Sequence, residues 1–73
     1  MKKRDAVAAL LTANTGQWVG ALDLMRVGGA LSWRTRLSDC RKELGMTIDW
    51  RWRPDPVHGK CSEYRYRAVE HSQ

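Results

Sequence analysis

Ser32-Trp33-Arg34-Thr35-Arg36-Leu37-Ser38-Asp39-Cys40-Arg41-Lys42-Glu43-Leu44-Gly45 runs through Met46 into Thr47-Ile48-Asp49-Trp50-Arg51-Trp52-Arg53, and between the two stretches the hydrophobic period changes from 3.6 to two. In the first stretch Trp33, Leu37, Cys40 and Leu44 are spaced by four, three and four. At about 100° per residue they fall within about 60° of one another, the signature of a helix with a single core stripe. Ser32 stands where an N-cap is needed and Gly45 where a helix ends. Thr35, Ser38 and Lys42 lie opposite the stripe, with Arg34 at the edge of that outer face, while Arg36, Arg41 and Glu43 flank the core. Asp39 is placed to pair with Arg36 and with Lys42 at i, i+3. The outer face is therefore polar and cationic, with little acid. In the second stretch Ile48, Trp50 and Trp52 share one side of a strand, and Asp49, Arg51 and Arg53 share the other.

Working outward, Pro54 to Lys60 breaks the alternation and is predicted as a seven-residue loop. Alternation resumes in Glu63-Tyr64-Arg65-Tyr66-Arg67-Ala68, so the two runs form an antiparallel hairpin with its aromatic face on the helices and its arginine face outward. Upstream, Asp5 to Asn14 is predicted as a helix capped by Asp5, with Val7, Leu10 and Leu11 inward. Gln17-Trp18-Val19 is a short extended piece, and Ala21 to Arg26 a second helix with Leu22, Met25 and Leu24 inward. Val27-Gly28-Gly29-Ala30 is the turn before the helix that opens at Ser32. Lys2-Lys3-Arg4 is a basic arm, for backbone contact or for solubility, and residues 70–73 are a frayed tail. The 73 residues make one α+β domain.

The order helix, short strand, helix, turn, helix, hairpin resembles a winged helix-turn-helix domain. Trp18-Val19-Gly20-Ala21-Leu22-Asp23-Leu24 is similar to the entry into the second helix of small bacterial and phage-encoded members. Arg36-Leu37-Ser38-Asp39-Cys40-Arg41-Lys42-Glu43-Leu44-Gly45 followed by Ile48 resembles their recognition-helix ending and first wing strand, and Tyr64-Arg65-Tyr66 their returning strand. The resemblance covers roughly residues 5–68 and specifies a fold more than a particular member. Two departures stand out: Cys40 replaces a more usual aliphatic core residue, and the loop with two prolines is longer than a tight hairpin needs.

The balance of 13 Lys+Arg against 8 Asp+Glu gives +5. No apolar run approaches the roughly 18 residues of a membrane span, and the opening lacks a secretory pattern, so a cytoplasmic protein is expected. Two cysteines are too few for a disulfide framework, and two reduced thiols with no metal are expected. A zinc set drawn from Cys40, His58, Cys61 and His71 lacks the Cys-x-x-Cys knuckle. The chain shows no phosphate loop, no nucleophile–base pair at a recognisable spacing and no paired carboxylates in an apolar setting, so neither an enzyme nor a small-molecule substrate is expected.

The resemblance implies double-stranded DNA as partner, with the third helix in the major groove. Its N-terminal half would then face base edges, which singles out Arg34, Thr35 and Ser38, with Lys42 nearer the backbone. Arg34 is the first choice because arginine bonds guanine in bidentate fashion; its alternative is an ordinary solvated helix arginine. The hairpin adds Arg51, Arg53, His58, Lys60, Arg65 and Arg67 as phosphate or minor-groove contacts. Against that role, Arg51 and Arg67 can pair with Asp49 and Glu63 across the ladder. Trp50, Trp52, Tyr64 and Tyr66 are assigned to the core rather than to stacking on single-stranded bases, and Trp18 and Trp33 to packing. The process served is transcriptional regulation or recombination, with dimerisation on paired half-sites left open. The other reading is a non-catalytic protein-interaction module that docks through its wing loop, where Val57 is an apolar tip.

Overall fold

In the computed structural model, which describes residues 2–68, the chain runs as α1 (Lys3–Ala13), β1 (Val19–Gly20), α2 (Ala21–Gly28), α3 (Trp33–Glu43), β2 (Thr47–Asp55) and β3 (Gly59–Arg67). The fold is α+β: three helices and one antiparallel sheet in the order β1-β3-β2. β1 is too short to persist alone and is held by pairing Val19 with Tyr64 and Gly20 with Glu63. No helix among the described residues is long and apolar enough to cross a membrane.

The core sits where the helices meet the near half of the sheet. Val7, Leu11, Val19, Leu24, Trp33, Leu37, Cys40, Ile48 and Tyr64 are buried together, with Leu10, Met25 and Tyr66 packed against them. Trp33 meets Tyr64 edge-on, with centroids 5.7 Å apart. Gly28 is where α2 comes closest to its neighbours. A Cβ there would lie 2.9 Å from Val7 Cγ2 and 3.1 Å from Trp33 Cα, so only glycine allows this approach.

Several predicted boundaries shift. α1 begins at Lys3 rather than Asp5, with Lys2 as N-cap, so Lys3 and Arg4 belong to a helix and not to a basic arm. Arg4 is tied to Asp5 at 3.0 Å and to Glu43 of α3 at 2.8 Å. α2 runs on to Gly28, and the turn is Gly29 to Ser32, opened by Gly29, whose φ is 91°. Leu22, predicted inward, is exposed, and Leu24 takes the buried place. Ser32 holds the N-cap position of α3, but its Oγ donates backward to the Gly28 carbonyl at 2.9 Å. Leu44, expected in the core stripe, is the C-cap of α3 and is exposed. The predicted tail, residues 70–73, lies outside the described residues.

The hairpin is longer and its loop shorter than predicted. β2 and β3 pair from Thr47↔Arg67 out to Asp55↔Gly59, leaving only Pro56, Val57 and His58 between them. Pro54 is accommodated because β2 is the sheet edge, where a missing N–H breaks no ladder bond. Gly59, with φ 84°, supplies the left-handed residue that closes a three-residue loop. Nine-residue strands reach about 30 Å, whereas the eleven residues of α3 cover about 16 Å. The far half of the aromatic face is therefore not packed beneath a helix but borders open clefts beside α3 and α2. Trp50 and Trp52, predicted as core, are 53% and 51% exposed and meet each other edge-on at 5.5 Å.

Candidate nucleic-acid interface

The ten residues singled out from the sequence fall into three groups. Arg34, Thr35, Ser38 and Lys42 lie on the side of α3 away from the core, Ser38 half-buried and the others exposed. The Arg34 guanidinium is 5.1 Å from the centroid of the Trp33 ring, so a buried aromatic supports the charged end of this side chain. Both acids of α3 are taken up elsewhere: Asp39 by Arg36 at 3.2 Å, as predicted, and Glu43 by Arg4 at 2.8 Å. The predicted Asp39–Lys42 pair is not formed. Among the described residues, Arg34 and Lys42 make no ion pair.

Arg51, Arg53, Arg65 and Arg67 form the second group, on the sheet face turned away from α3. Each has an acidic partner. Glu63, itself only 6% exposed, receives Arg51 at 2.9 Å and Arg53 at 3.6 Å. Asp49 receives Arg65 at 3.0 Å and Arg67 at 2.8 Å. The Arg65 hydrogen bond holds the Asp49 carboxyl below its ordinary range. Trp18 joins this face rather than the core, with the guanidinium of Arg51 4.1 Å and that of Arg65 4.6 Å from its ring centroid. The cross-strand pairs weighed against a phosphate role thus form, with every sheet arginine included.

His58 and Lys60 make the third group, near the hairpin tip. His58 Nδ1 lies 3.1 Å from Asp55 Oδ2, and Lys60 Nζ sits 4.7 Å from the Trp52 ring centroid. Both turn toward the helices, where with Arg34, Leu22, Met25 and Trp52 they border a cleft of about 320 Å³. A neighbouring cleft of about 340 Å³ lies between α3 and the sheet, lined by Arg34, Leu37, Arg41, Trp50, Trp52 and Tyr64 among others. Arg34, Trp52 and Ser62 belong to both, so the two open side by side along one edge of α3. The structure brings Arg34, His58 and Lys60 together and leaves the sheet arginines on the other side.

Sequence reasoning missed Arg41, Trp50 and Trp52. Arg41 is seven residues after Arg34, within about 20° of it on the helix wheel. That coincidence marks both for the same edge, and Arg41 Nη2 there donates to the Ile48 carbonyl at 2.9 Å. The tryptophans carried no such mark, since their alternation is that of core residues.

The cysteines are separate. Cys40 is buried in α3, where burial pushes its thiol up, and its Sγ lies 3.5 Å from the Arg4 carbonyl. Cys61 lies on β3 and donates to Asp55 Oδ2 at 3.0 Å, which raises its thiol as well. The weighed zinc set is therefore not assembled by Cys40, and His71 lies outside the described residues. Asp55 stands between Cys61 and His58, so the imidazole is not hydrogen-bonded to the thiol as a nucleophile–base relay requires. Comparison with protein-family models, curated proteins and solved structures returns no match.

Proposed function

We propose that this chain is a winged-helix protein that binds double-stranded DNA, with α3 in the major groove and the β2–β3 hairpin as its wing. One observation carries the reading: among the described residues α3 keeps Arg34 and Lys42 without acid partners, on an outer face whose nearest acids are already neutralised by Arg36 and Arg4. Phosphates and base edges are the partners such a face lacks. A helix of about 16 Å fits the major groove, where Arg34 bonds guanine and Thr35 and Ser38 reach neighbouring edges. Lys42, Arg41 and Lys60 hold phosphate on either side and set the register. The sheet arginines have a different task, the stability of the wing, and are removed from the contact surface. A regulator of transcription or a recombination accessory factor is the role that fits a single small module of this kind.

The test is a fluorescence-anisotropy titration of the full chain against a mixed-sequence duplex at several salt concentrations. Three phosphate contacts give a slope of about −2.7 in log K against log salt. Absence of binding at low salt overturns the reading. The 80% exposed Val57 at the hairpin tip favours the one alternative, docking onto another protein. In that case Val57→Asp abolishes capture of the partner, and the chain shows no salt-dependent duplex binding.

A further inference from the structure

At the far end of the hairpin, three metal-binding side chains of different chemistry converge. Asp55 closes β2, His58 stands in the loop and Cys61 lies in β3; one ligand atom from each falls within 4.8 Å of the others. The two oxygens of Asp55 divide their work. Oδ1 accepts the N–H of Val57 at 2.8 Å and that of His58 at 3.4 Å, which fixes the orientation of the carboxylate. Oδ2 is left to the side chains, 3.1 Å from His58 Nδ1 and 3.0 Å from Cys61 Sγ. Ligand atoms around a tetrahedral zinc ion stand about 3.3–3.6 Å apart, given bond lengths of about 2.0–2.3 Å. The Asp55 contacts need to open by about half an ångström, and the His58–Cys61 separation, within 4.8 Å, has to settle to the same spacing, to admit the ion.

We propose that Asp55 Oδ2, His58 Nδ1 and Cys61 Sγ bind a zinc ion at the hairpin tip, with water in the fourth position. A thiolate and an imidazole select a borderline-soft metal over magnesium or calcium, which require oxygen ligands. Three protein ligands leave one tetrahedral position open. On binding, the Cys61 thiol gives up its proton to solvent and His58 is neutral with its remaining proton on Nε2. The ion then takes the place of the two hydrogen bonds to Oδ2, while the loop amides on Oδ1 keep the carboxylate aimed as outer-shell partners do. Bound zinc ties the end of β2, the loop and β3 into one rigid tip. The set weighed from the sequence joined His58 and Cys61 to Cys40 and His71 and was set aside for want of a Cys-x-x-Cys knuckle; the ligand it left out is a carboxylate three residues before the histidine.

Isothermal titration of the untagged, reduced full chain with Zn²⁺ is expected to give one ion per chain, and Co²⁺ to give a thiolate-to-metal charge-transfer band in the near ultraviolet. Cys61→Ser is expected to abolish the band and to lower zinc affinity by at least about 100-fold, and His58→Gln by at least about tenfold. Cys40→Ala is expected to leave both unchanged. His58 is on an exposed loop, so its variant tests the site even if Cys61→Ser disturbs β3. The proposal is overturned by the absence of heat and band up to about 1 mM metal. It is equally overturned by a band that survives Cys61→Ser, or by half an ion per chain.

Discussion

The outer face of α3 and the outer face of the β2–β3 ladder carry the same kind of side chain and differ in what surrounds it. On the ladder, two carboxylates each hold two arginines, and Trp18 lies against Arg51 and Arg65. On α3, Arg34 and Lys42 stand exposed without acid partners among the described residues. A count of basic residues treats these faces as equals. Their pairing separates them: charge already neutralised stabilises the fold, and only charge left over is available to a phosphate.

Exchanging one arginine from each face breaks or establishes the contrast. Arg34→Ala is expected to weaken binding to a preferred duplex by about 1–3 kcal/mol and to relax the preference at one base position, with the urea midpoint unchanged. Arg51→Ala is expected to do the reverse, moving the urea midpoint and leaving duplex affinity within about 0.5 kcal/mol. Competition anisotropy and urea denaturation on both variants measure the two quantities. Equal losses of affinity would erase the distinction between the faces.

Glu63 offers a sharper cut on the ladder side. Its carboxylate is buried while Arg51 and Arg53 remain about half in water, so Glu63→Ala removes one charge-assisted hydrogen bond and one longer ion pair without stranding a buried cation. Hydrogen bonds to charged groups are worth about 1.5–3 kcal/mol when buried, and the exposure of the arginines reduces this, so a stability loss of about 1–2 kcal/mol is expected in urea. The same variant frees two arginines, and duplex affinity of the folded protein is expected to hold or rise.

How much of this was legible beforehand depended on whether a feature is local. The period change at Gly45, the alternation of the ladder and the Arg36–Asp39 pair are set by neighbours along the chain, and the structure has them where the sequence placed them. The misplaced features depend on what lies across space. Trp50 and Trp52 alternate as core residues do, yet α3 borders an open cleft at their position instead of packing on them. Leu22 and Leu24 are equally apolar and were both expected inward, yet only Leu24 is buried. For the site, the wheel placed Arg34, Thr35, Ser38 and Lys42 on one face correctly. It offered no means of knowing that Arg4 would reach Glu43, or that Glu63 would serve two arginines. Pro54 misled for the opposite reason: a proline signals a loop unless its strand is an edge, and edge position is a property of the sheet.

Asp49 gives the smallest effect and the one that tests the cause most directly. Its carboxyl is held below the ordinary range by hydrogen bonding to Arg65, with the charges of Arg67 and Arg65 acting in the same direction. A carboxyl with a depressed folded value binds its proton more weakly in the folded state than in the unfolded one. It therefore stabilises the fold fully above the unfolded value, about 4, and loses that contribution as the pH falls through the folded value. The melting temperature of the wild type is expected to exceed that of Asp49→Asn at pH 7, with the gap closing as the solution is acidified below pH 4. The corresponding comparison on α3, Arg34→Ala against wild type, is expected to show no change across the same range, because no carboxylate pairs with that side chain among the described residues. A gap for Asp49→Asn that stays constant with pH would mean that the side chain stabilises the ladder by packing rather than by charge, and the two faces would then differ in shape and not in electrostatics.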